Sequence, residues 1–424
     1  MSTAVGTTLC VPRPSSGLNP NQPMLVKAAP PAGIPPHHVL IEVDRFGFSA
    51  NNVTYQALGE APHFRYFEYH YPPTTDVVSS KTHGLIPVWG FGTVVLSTSP
   101  SLPVGERVYG YLAPTTHLLV PISHSSSPSS PNVFIPRPHL PPDRRPYNTL
   151  TLCSRDPQYV SSDPHLEDLT MLYRPLFWTA FWCEDWLHAS GYRGGARRVL
   201  ISSASAKTAF CLAYLIRKRK LQGMKVVGLT SKRNLAFTNG LGLYDEVSEY
   251  DSFASSNALN LKDGDGAQEE WIYIDVAGND DLNNKIFAHY KGSGKLTASI
   301  QLGLSTLSPS SPEGSSTKWT TNTALEVSHA QTPKDAPTLE QFFMPEWLTL
   351  RRRQLPTPTI LSMQNKAWAE LMQDGKGWVR IERTRGENVR RAYERVASNG
   401  VGAEVGEVWS LWDVEEKGVA VAKL

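Results

Sequence analysis

The sequence predicts an α/β protein in which a β-rich domain is joined to a doubly wound parallel sheet. Three observations support this. Short apolar strands separated by turn residues fill the first third, and strand and helix patterns alternate through the middle. The length of 424 residues also exceeds the roughly 250–300 residues that one hydrophobic core accommodates.

In the first third, Val39 to Arg45 (VLIEVDR) alternates apolar and polar residues. Val88 to Val95 (VWGFGTVV) is a glycine-punctuated strand, and Gly105 to Leu112 (GERVYGYL) is a third. Ser123 to Pro131 (SHSSSPSSP) is low in complexity and predicts an exposed loop. The character changes near Tyr173. Leu176 to Ala189 carries apolar residues at helical spacing, and Gly191 to Gly195 ends it. A strand at Arg198 to Ser202, a small-residue turn at Ser203 to Lys207, a helix at Thr208 to Lys220 and a strand at Lys225 to Thr230 then form one β-turn-α-β unit. A helix at Asn234 to Leu241, a strand at Glu246 to Ser248 and a polar loop from Ser252 to Gly266 follow. A strand at Trp271 to Val276, a helix at Asp281 to Tyr290 and a strand at Gly294 to Leu302 complete the doubly wound pattern. Ser305 to Pro337 reads as a long polar surface loop. Beyond it come helices at Gln341 to Leu355 and Thr359 to Gln373, then strand, helix and strand at Trp378 to Arg383, Glu387 to Ala397 and Glu407 to Leu411. The expected organisation is therefore discontinuous. Residues 1–172 begin the β-rich domain, 173–310 form the parallel-sheet domain, and 311–424 are a linker loop and a return to the first domain.

Composition narrows the function. A net charge of +2, from 41 basic and 39 acidic residues, argues against a nucleic-acid partner. Forty per cent hydrophobic residues suffice for packed cores. Proline, at 33 residues, outnumbers glycine, at 31, and it is barred from helix interiors and central strands, so many loops are expected. Cys10, Cys153, Cys183 and Cys211 lie far apart without ligand spacing, which argues against a disulfide scaffold or a structural zinc site. Met1 to Pro20 lacks a basic stretch followed by an apolar core, and no apolar run reaches the roughly 18–20 residues of a membrane span. A soluble, cytoplasmic protein is the expectation.

In dinucleotide-binding folds the turn after the first sheet strand holds a pyrophosphate on a helix N-terminus, and its fingerprint is GxGxxG. Here the frame reads Ala204, Ala206 and Ala209, within ASAKTA. A Cβ at the first two positions is expected to move the backbone away from a phosphate. Ser203, Ser205, Lys207 and Thr208 offer hydroxyls and an ammonium in compensation. The alternative is a purely structural strand-to-helix turn. At the end of the next strand stand Ser231, Lys232 and Arg233, with no carboxylate before Asp245. Two cations, in place of an acid that would accept from a ribose 2′-OH, predict a preference for a 2′-phosphate if a dinucleotide binds. Otherwise they solvate a loop.

FGFSANNVTYQALG, IPVWGFGTVV, GERVYGYL, PLFWTAF, RVLISSASAKTA, KVVGLTSKRNLAFTNGLGLYDEV, WIYIDVAG and KLTASIQLG follow one another in a characteristic order. In them the chain, from about Val39 to Leu411, resembles the medium-chain dehydrogenase/reductase superfamily. The similarity is to its zinc-independent quinone oxidoreductase-like and enoyl reductase-like branch, and within that to a divergent group with a degenerate glycine loop. The resemblance implies a GroES-like β-rich catalytic domain, a Rossmann domain, NADP(H) as cofactor, a small-molecule substrate and a homodimer paired through sheet edges. Zinc-dependent members carry a Cys where Ser49 stands and a Gly-His-Glu element where Pro87, Val88 and Trp89 stand, so no metal is expected. His37, His38 and His83 read as surface or packing residues.

Zinc-free relatives polarise a carbonyl or enoyl oxygen with neutral donors. The matching segment runs from Asn51 to Tyr55. Tyr55 is the candidate donor to a developing enolate, and Asn52 the residue that orients it. The alternative is a polar turn whose amides cap backbone groups. The resemblance places Thr179 beside the nicotinamide, and Gly278 and Gly303 along its ring, although turn formation alone explains both glycines. Pro62 to Pro73 (PHFRYFEYHYPP) packs five Phe or Tyr residues and suggests a bulky planar substrate, a lid or a hydrophobic plug. Arg351 to Arg353 reads as a solvated face or a dock for an anionic carrier. Two functions are carried forward. One is reduction of a carbonyl or an activated C=C bond by NADP(H) without zinc. The other is a scaffold that has lost hydride transfer, acting as a binding or accessory protein or a cofactor-free lyase or hydrolase.

Overall fold

A computed structural model describes residues 5–62, 64–123, 130–140, 147–161, 163–255, 269–276, 278–293, 295–302 and 339–413. The expected loop around 124–129, the stretches 256–268 and 303–338, and with them Gly303, lie outside these residues.

Six parallel strands form one sheet in the order Glu246–Glu249, Lys225–Thr230, Arg198–Ile201, Glu270–Asp275, Lys295–Gln301 and Leu339–Gln341. The interiors of its central strands, Val199–Ile201, Val226–Leu229 and Trp271–Ile274, are apolar because both faces are covered. Side-chain alternation sends Val199, Ile201, Ile272 and Ile274 to one face, against the helices Pro164–Ala189 and Lys207–Lys218. Leu200, Trp271 and Tyr273 face the other side, against Leu282, Ile286 and Tyr290 of the helix Asp280–Ser293. The strand order reverses direction at Arg198–Ile201, which opens a crevice at the carboxyl ends of the strands.

The other large sheet runs Arg380–Arg385, Val405–Ser410, His38–Phe48, Val88–Ser97, Arg107–Leu112, Thr149–Leu152 and Asn132–Phe134, with His117–Pro121 also pairing to His38–Phe48. A three-stranded sheet of Met24–Ala28, Gly6–Pro12 and His83–Gly84 lies in the proline-rich N-terminal region, where no strand was expected.

Two expectations are corrected. The helix expected from Leu176 begins at Pro164, where Asp163 accepts a hydrogen bond from the His165 amide and proline occupies the tolerated first turn. Pro175 lies inside this helix rather than at its start, so the boundary expected at 172 falls within one element. The helix expected from Gln341 starts at Met344; Leu339–Gln341 is an edge strand parallel to Ser299–Gln301. Phe342, Trp368, Leu371 and Met372 then join the core of the parallel sheet, so the chain returns to the other sheet only at Arg380.

A buried ion-pair network fastens the long helix to the β-rich sheet. Glu167 accepts from Arg45 Nη2 (2.6 Å), Arg107 Nε (2.6 Å) and the Tyr159 hydroxyl (2.8 Å), while Asp168 accepts from Arg45 Nε (2.8 Å) and from Arg383. Both acids sit in the helix's N-terminal part, where its dipole favours negative charge. Among the described residues no helix is long and apolar enough to cross a membrane.

Candidate functional site

The turn after Arg198–Ile201 lies at the floor of the crevice. Ala204 is fully buried, its amide donating to the Leu229 carbonyl (2.9 Å) and its carbonyl accepting from the Tyr244 hydroxyl (2.8 Å). Its methyl points into the sheet, toward Gly228 of the neighbouring strand, where an added Cβ would lie 2.7 Å away. Ala209 is likewise in the core, and Ala206 packs partly against it. The expectation that the alanine methyls push the backbone off a phosphate is therefore corrected at Ala204, whose methyl faces inward.

The turn's outward face belongs to Ser203, Ser205, Lys207 and Thr208, all half-buried. Ser203 adopts a left-handed φ of 48°, a backbone conformation that non-glycine residues seldom take. Its amide donates to the Tyr250 hydroxyl (3.1 Å), and the Ala206 amide to the Ser203 carbonyl (2.7 Å). Ser205 Oγ accepts from Thr230 (3.3 Å) and from Asn234 Nδ2 (3.0 Å). Lys207 opens the next helix and reaches across to the β-rich sheet, where its ammonium donates to the Val405 carbonyl (3.2 Å). Burial lowers its pKa to about 8, against weaker upward pulls from Cys211, Glu404 and Glu407.

Ser231 is half-buried at the end of Lys225–Thr230, and Lys232 and Arg233 project from the following turn into solvent. Neither cation forms a salt bridge among the described residues. On the other side of the first strand, buried Asp275 accepts from Ser202 Oγ (3.1 Å), the Gly278 amide (2.9 Å) and Asn283 Nδ2 (2.9 Å). Gly278 has φ 62°, so the turn alone requires glycine there. Thr179 is half-buried on the long helix and bonds back to the Pro175 carbonyl (3.4 Å).

Tyr55 and Asn52 share the helix Ala50–Ala57 but not a task. Asn52 closes a capping box, its Oδ1 accepting from the Ser49 amide (2.9 Å) and hydroxyl (3.1 Å), and its Nδ2 donating to the Pro87 carbonyl (3.2 Å). That corrects its expected role of orienting Tyr55, since all its polar atoms hold backbone or cap the helix. Asn51 makes the contact instead, its Nδ2 donating to the Tyr55 hydroxyl (2.8 Å). Tyr55 stacks on Tyr66 (4.2 Å between centroids) and meets Tyr111 edge-on (6.3 Å). Burial, with neighbouring Tyr147, pushes its phenol well above the ordinary tyrosine range. The segment 62–73 divides between this cluster and a plug. Phe67 is wedged between Gly59 and Gly84, where added Cβ atoms would lie 2.3 and 2.1 Å from its ring. Tyr66 and Tyr69 face the cluster that also holds Trp89, Tyr109, Tyr111 and Tyr147.

Of the arginine run, Arg351 is paired with Asp185 (2.8 Å), which makes it structural. The four cysteines are free and buried, and no group of three or more His, Cys, Asp or Glu among the described residues could hold a metal ion.

A family described as "Protein of unknown function (DUF2855)" matches residues 46–402. The chain belongs to this family. No curated protein sequence matches this DUF2855 member. Among solved structures, CurA from Vibrio vulnificus is 14% identical, with 96% of this chain and 99% of that one covered, at a TM-score of 0.53. The CurF ER cyclopropanase from the curacin A biosynthetic pathway is 16% identical, over 95% and 98% of the two chains, at 0.50. CurA in complex with NADPH aligns at 0.49, with 13% identity over 96% and 99%. At such identities the first two of these establish the fold alone, a β-rich domain joined to a doubly wound parallel sheet, which is the fold class expected from the sequence.

Sequence reasoning missed two residues beside the candidate site. Tyr250 directly follows the strand Glu246–Glu249, so its place at a carboxyl end was a readable signal. Arg137 lies buried beside the aromatic cluster, and its proline-rich surroundings gave no sign of burial.

Proposed function

We propose that this DUF2855 protein is an NADP(H)-dependent, zinc-independent oxidoreductase that reduces a carbonyl or an activated C=C bond of a small organic substrate. The observation that carries this reading is the exposed pair Lys232 and Arg233. They stand at the carboxyl end of the second parallel strand, where doubly wound sheets receive the ribose of a dinucleotide, and no acid replaces them. They suit a 2′-phosphate. Ser203, Ser205, Lys207 and Thr208 offer hydroxyls and an ammonium for the pyrophosphate, the inward methyls of Ala204 and Ala209 leaving that side open. Thr179 and Gly278 belong to the nicotinamide end, and NADPH, when bound, supplies the hydride. Tyr55, kept neutral by burial, donates a proton or hydrogen bond to the oxygen that gains charge, and the Asn51 amide on its hydroxyl favours that donation. The edge strand Leu339–Gln341 supports a homodimer joined through that edge.

A second reading rests on the turn's occupied amides. Ser203 N–H is held by Tyr250 and Ala204 N–H by Leu229, which suits a scaffold that has given up hydride transfer for binding or for cofactor-free chemistry. Titration decides between them. NADPH should raise the melting temperature and quench tryptophan fluorescence far below the concentration at which NADH does, and turnover should survive chelator treatment. If neither nucleotide stabilises the folded protein at millimolar concentration, the reductase reading fails and the second one stands.

A further inference from the structure

We infer that Arg137 and the aromatic cluster beside Tyr55 recognise a planar, conjugated substrate that carries a carboxylate. The inference rests on the oxidoreductase reading only for the role of Tyr55; the recognition chemistry is independent of it. Arg137 is 7% exposed, and no carboxylate pairs with it among the described residues. Its guanidinium donates to three neutral acceptors: the Tyr69 carbonyl (3.0 Å), Asn148 Oδ1 (2.8 Å) and His70 Nε2 (3.3 Å). Burial and the adjacent guanidinium bring the His70 pKa down to about 3, so the imidazole adds no charge. Glu68, on the same aromatic segment, is taken by Arg65 (2.8 Å). A buried cation without an anion is costly, and a guanidinium fork matches a carboxylate in two parallel hydrogen bonds.

The surroundings fit the rest of such a ligand. The Arg137 guanidinium carbon lies 5.4 Å from the Tyr69 ring centroid, and Tyr69 meets Tyr111 edge-on at 5.2 Å. Trp89 is 5.0 Å from Tyr111, and Tyr55 closes the far side. Aromatic faces of this kind bind a flat conjugated body. A buried hydroxyl of the cluster, that of Tyr109, has no hydrogen-bond partner among the described residues, and Tyr109 is over nine-tenths buried. Unpaired buried donors are uncommon in folded proteins, and an oxygen-bearing ligand would satisfy this one. An acid bound at Arg137 would thus present its conjugated system to Tyr55.

The test compares cinnamate with cinnamamide, which share ring and double bond and differ in charge. Binding to the full-length protein without cofactor is followed by calorimetry and tryptophan fluorescence. The expected result is at least tenfold tighter binding of cinnamate, a preference abolished in Arg137→Met and partly kept in Arg137→Lys. Equal affinities for the two in the wild type, or a folded Arg137→Met that keeps the preference, would overturn the inference. If Arg137→Met does not fold, the wild-type comparison and Arg137→Lys decide. Cinnamate selectivity without NADPH binding would sink the reductase reading and leave this site standing. NADPH binding with no discrimination between acid and amide would do the reverse.

Discussion

Lys207 offers a proton-counting test of the cofactor site. Its ammonium is half-buried and donates to the Val405 carbonyl (3.2 Å), and burial holds its pKa near 8. About half of the ligand-free molecules therefore carry a neutral amine at pH 8. A pyrophosphate at the turn favours the ammonium and should restore a value near the ordinary ~10.4. Binding of NADPH then takes up about 0.1 proton at pH 7, about 0.5 at pH 8 and about 0.9 at pH 9. Calorimetry in buffers of different ionisation enthalpy reads this directly, as the slope of apparent binding enthalpy against buffer enthalpy. Lys207→Gln should flatten the profile and weaken binding. A linked effect concerns stability. The folded-state pKa lies below the unfolded value, so the unfolded chain holds more protons between about pH 8 and pH 10.4. Stability of the ligand-free protein should therefore rise across that window, and saturation with NADPH should remove the rise. Zero uptake from pH 7 to pH 9 despite tight binding, or the same uptake in Lys207→Gln, refutes the placement of Lys207 against the phosphates.

Four further outcomes are expected. Lys232→Ala should weaken NADPH binding about tenfold, the size of one charge-assisted contact, and leave NADH within about twofold; parallel losses for both nucleotides in fluorescence titrations would remove the 2′-phosphate assignment. Tyr250→Phe frees the Ser203 amide and should tighten both nucleotides alike, by severalfold in the same titration. Burial alone would raise the Glu167 pKa, but the hydrogen bonds and charge of Arg107 bring it below the usual value, so its contribution to stability is present above the unfolded pKa and lost as pH falls through the depressed one. Thermal unfolding from pH 6 to pH 3 should show that acid loss in the wild type and a flatter profile in Glu167→Gln. Gly228→Ala should cost about 1–3 kcal/mol in urea unfolding, because the new methyl meets Ala204 Cβ at 2.7 Å, and Ala204→Gly should relieve most of it.

Long-range order was readable where apolar runs were long. Lys225–Thr230 and Glu270–Asp275 are buried on both faces, and nothing but a sheet strand covered by helices satisfies such a run. Leu339–Gln341 is three residues long and finds its partner across the 303–338 stretch, so no local pattern announces it. Pro175 hid the first turns of the long helix, because proline's lost hydrogen bond argues locally for a boundary that tertiary packing overrides. At the site, residue types located the turn and the cation pair. They could not reveal that Asn52 is used up by a capping box or that Arg137 is buried among neutral acceptors, since both depend on partners 35 and 68 residues away.

The turn's lack of glycines, which argued against a nucleotide when read alone, has a physical counterpart in the next strand. A glycine loop serves two needs: close approach of backbone to phosphate, and close packing of the helix on the sheet. At Ala204 the second need is met by exchanging partners, with the methyl on the turn and the glycine opposite, at Gly228, against which no side chain collides. The first need is only partly met, because the Ser203 and Ala204 amides are already bonded. A phosphate in this crevice would therefore draw on side chains, the hydroxyls of Ser203, Ser205 and Thr208 and the ammonium of Lys207, more than on backbone. Such a site should depend on ionic strength and on the protonation of Lys207 more steeply than a glycine loop does, because flexible charged groups replace fixed dipoles. Displacement of Tyr250 from Ser203 then becomes part of binding itself, and it links the carboxyl end of the third strand to occupancy of the first.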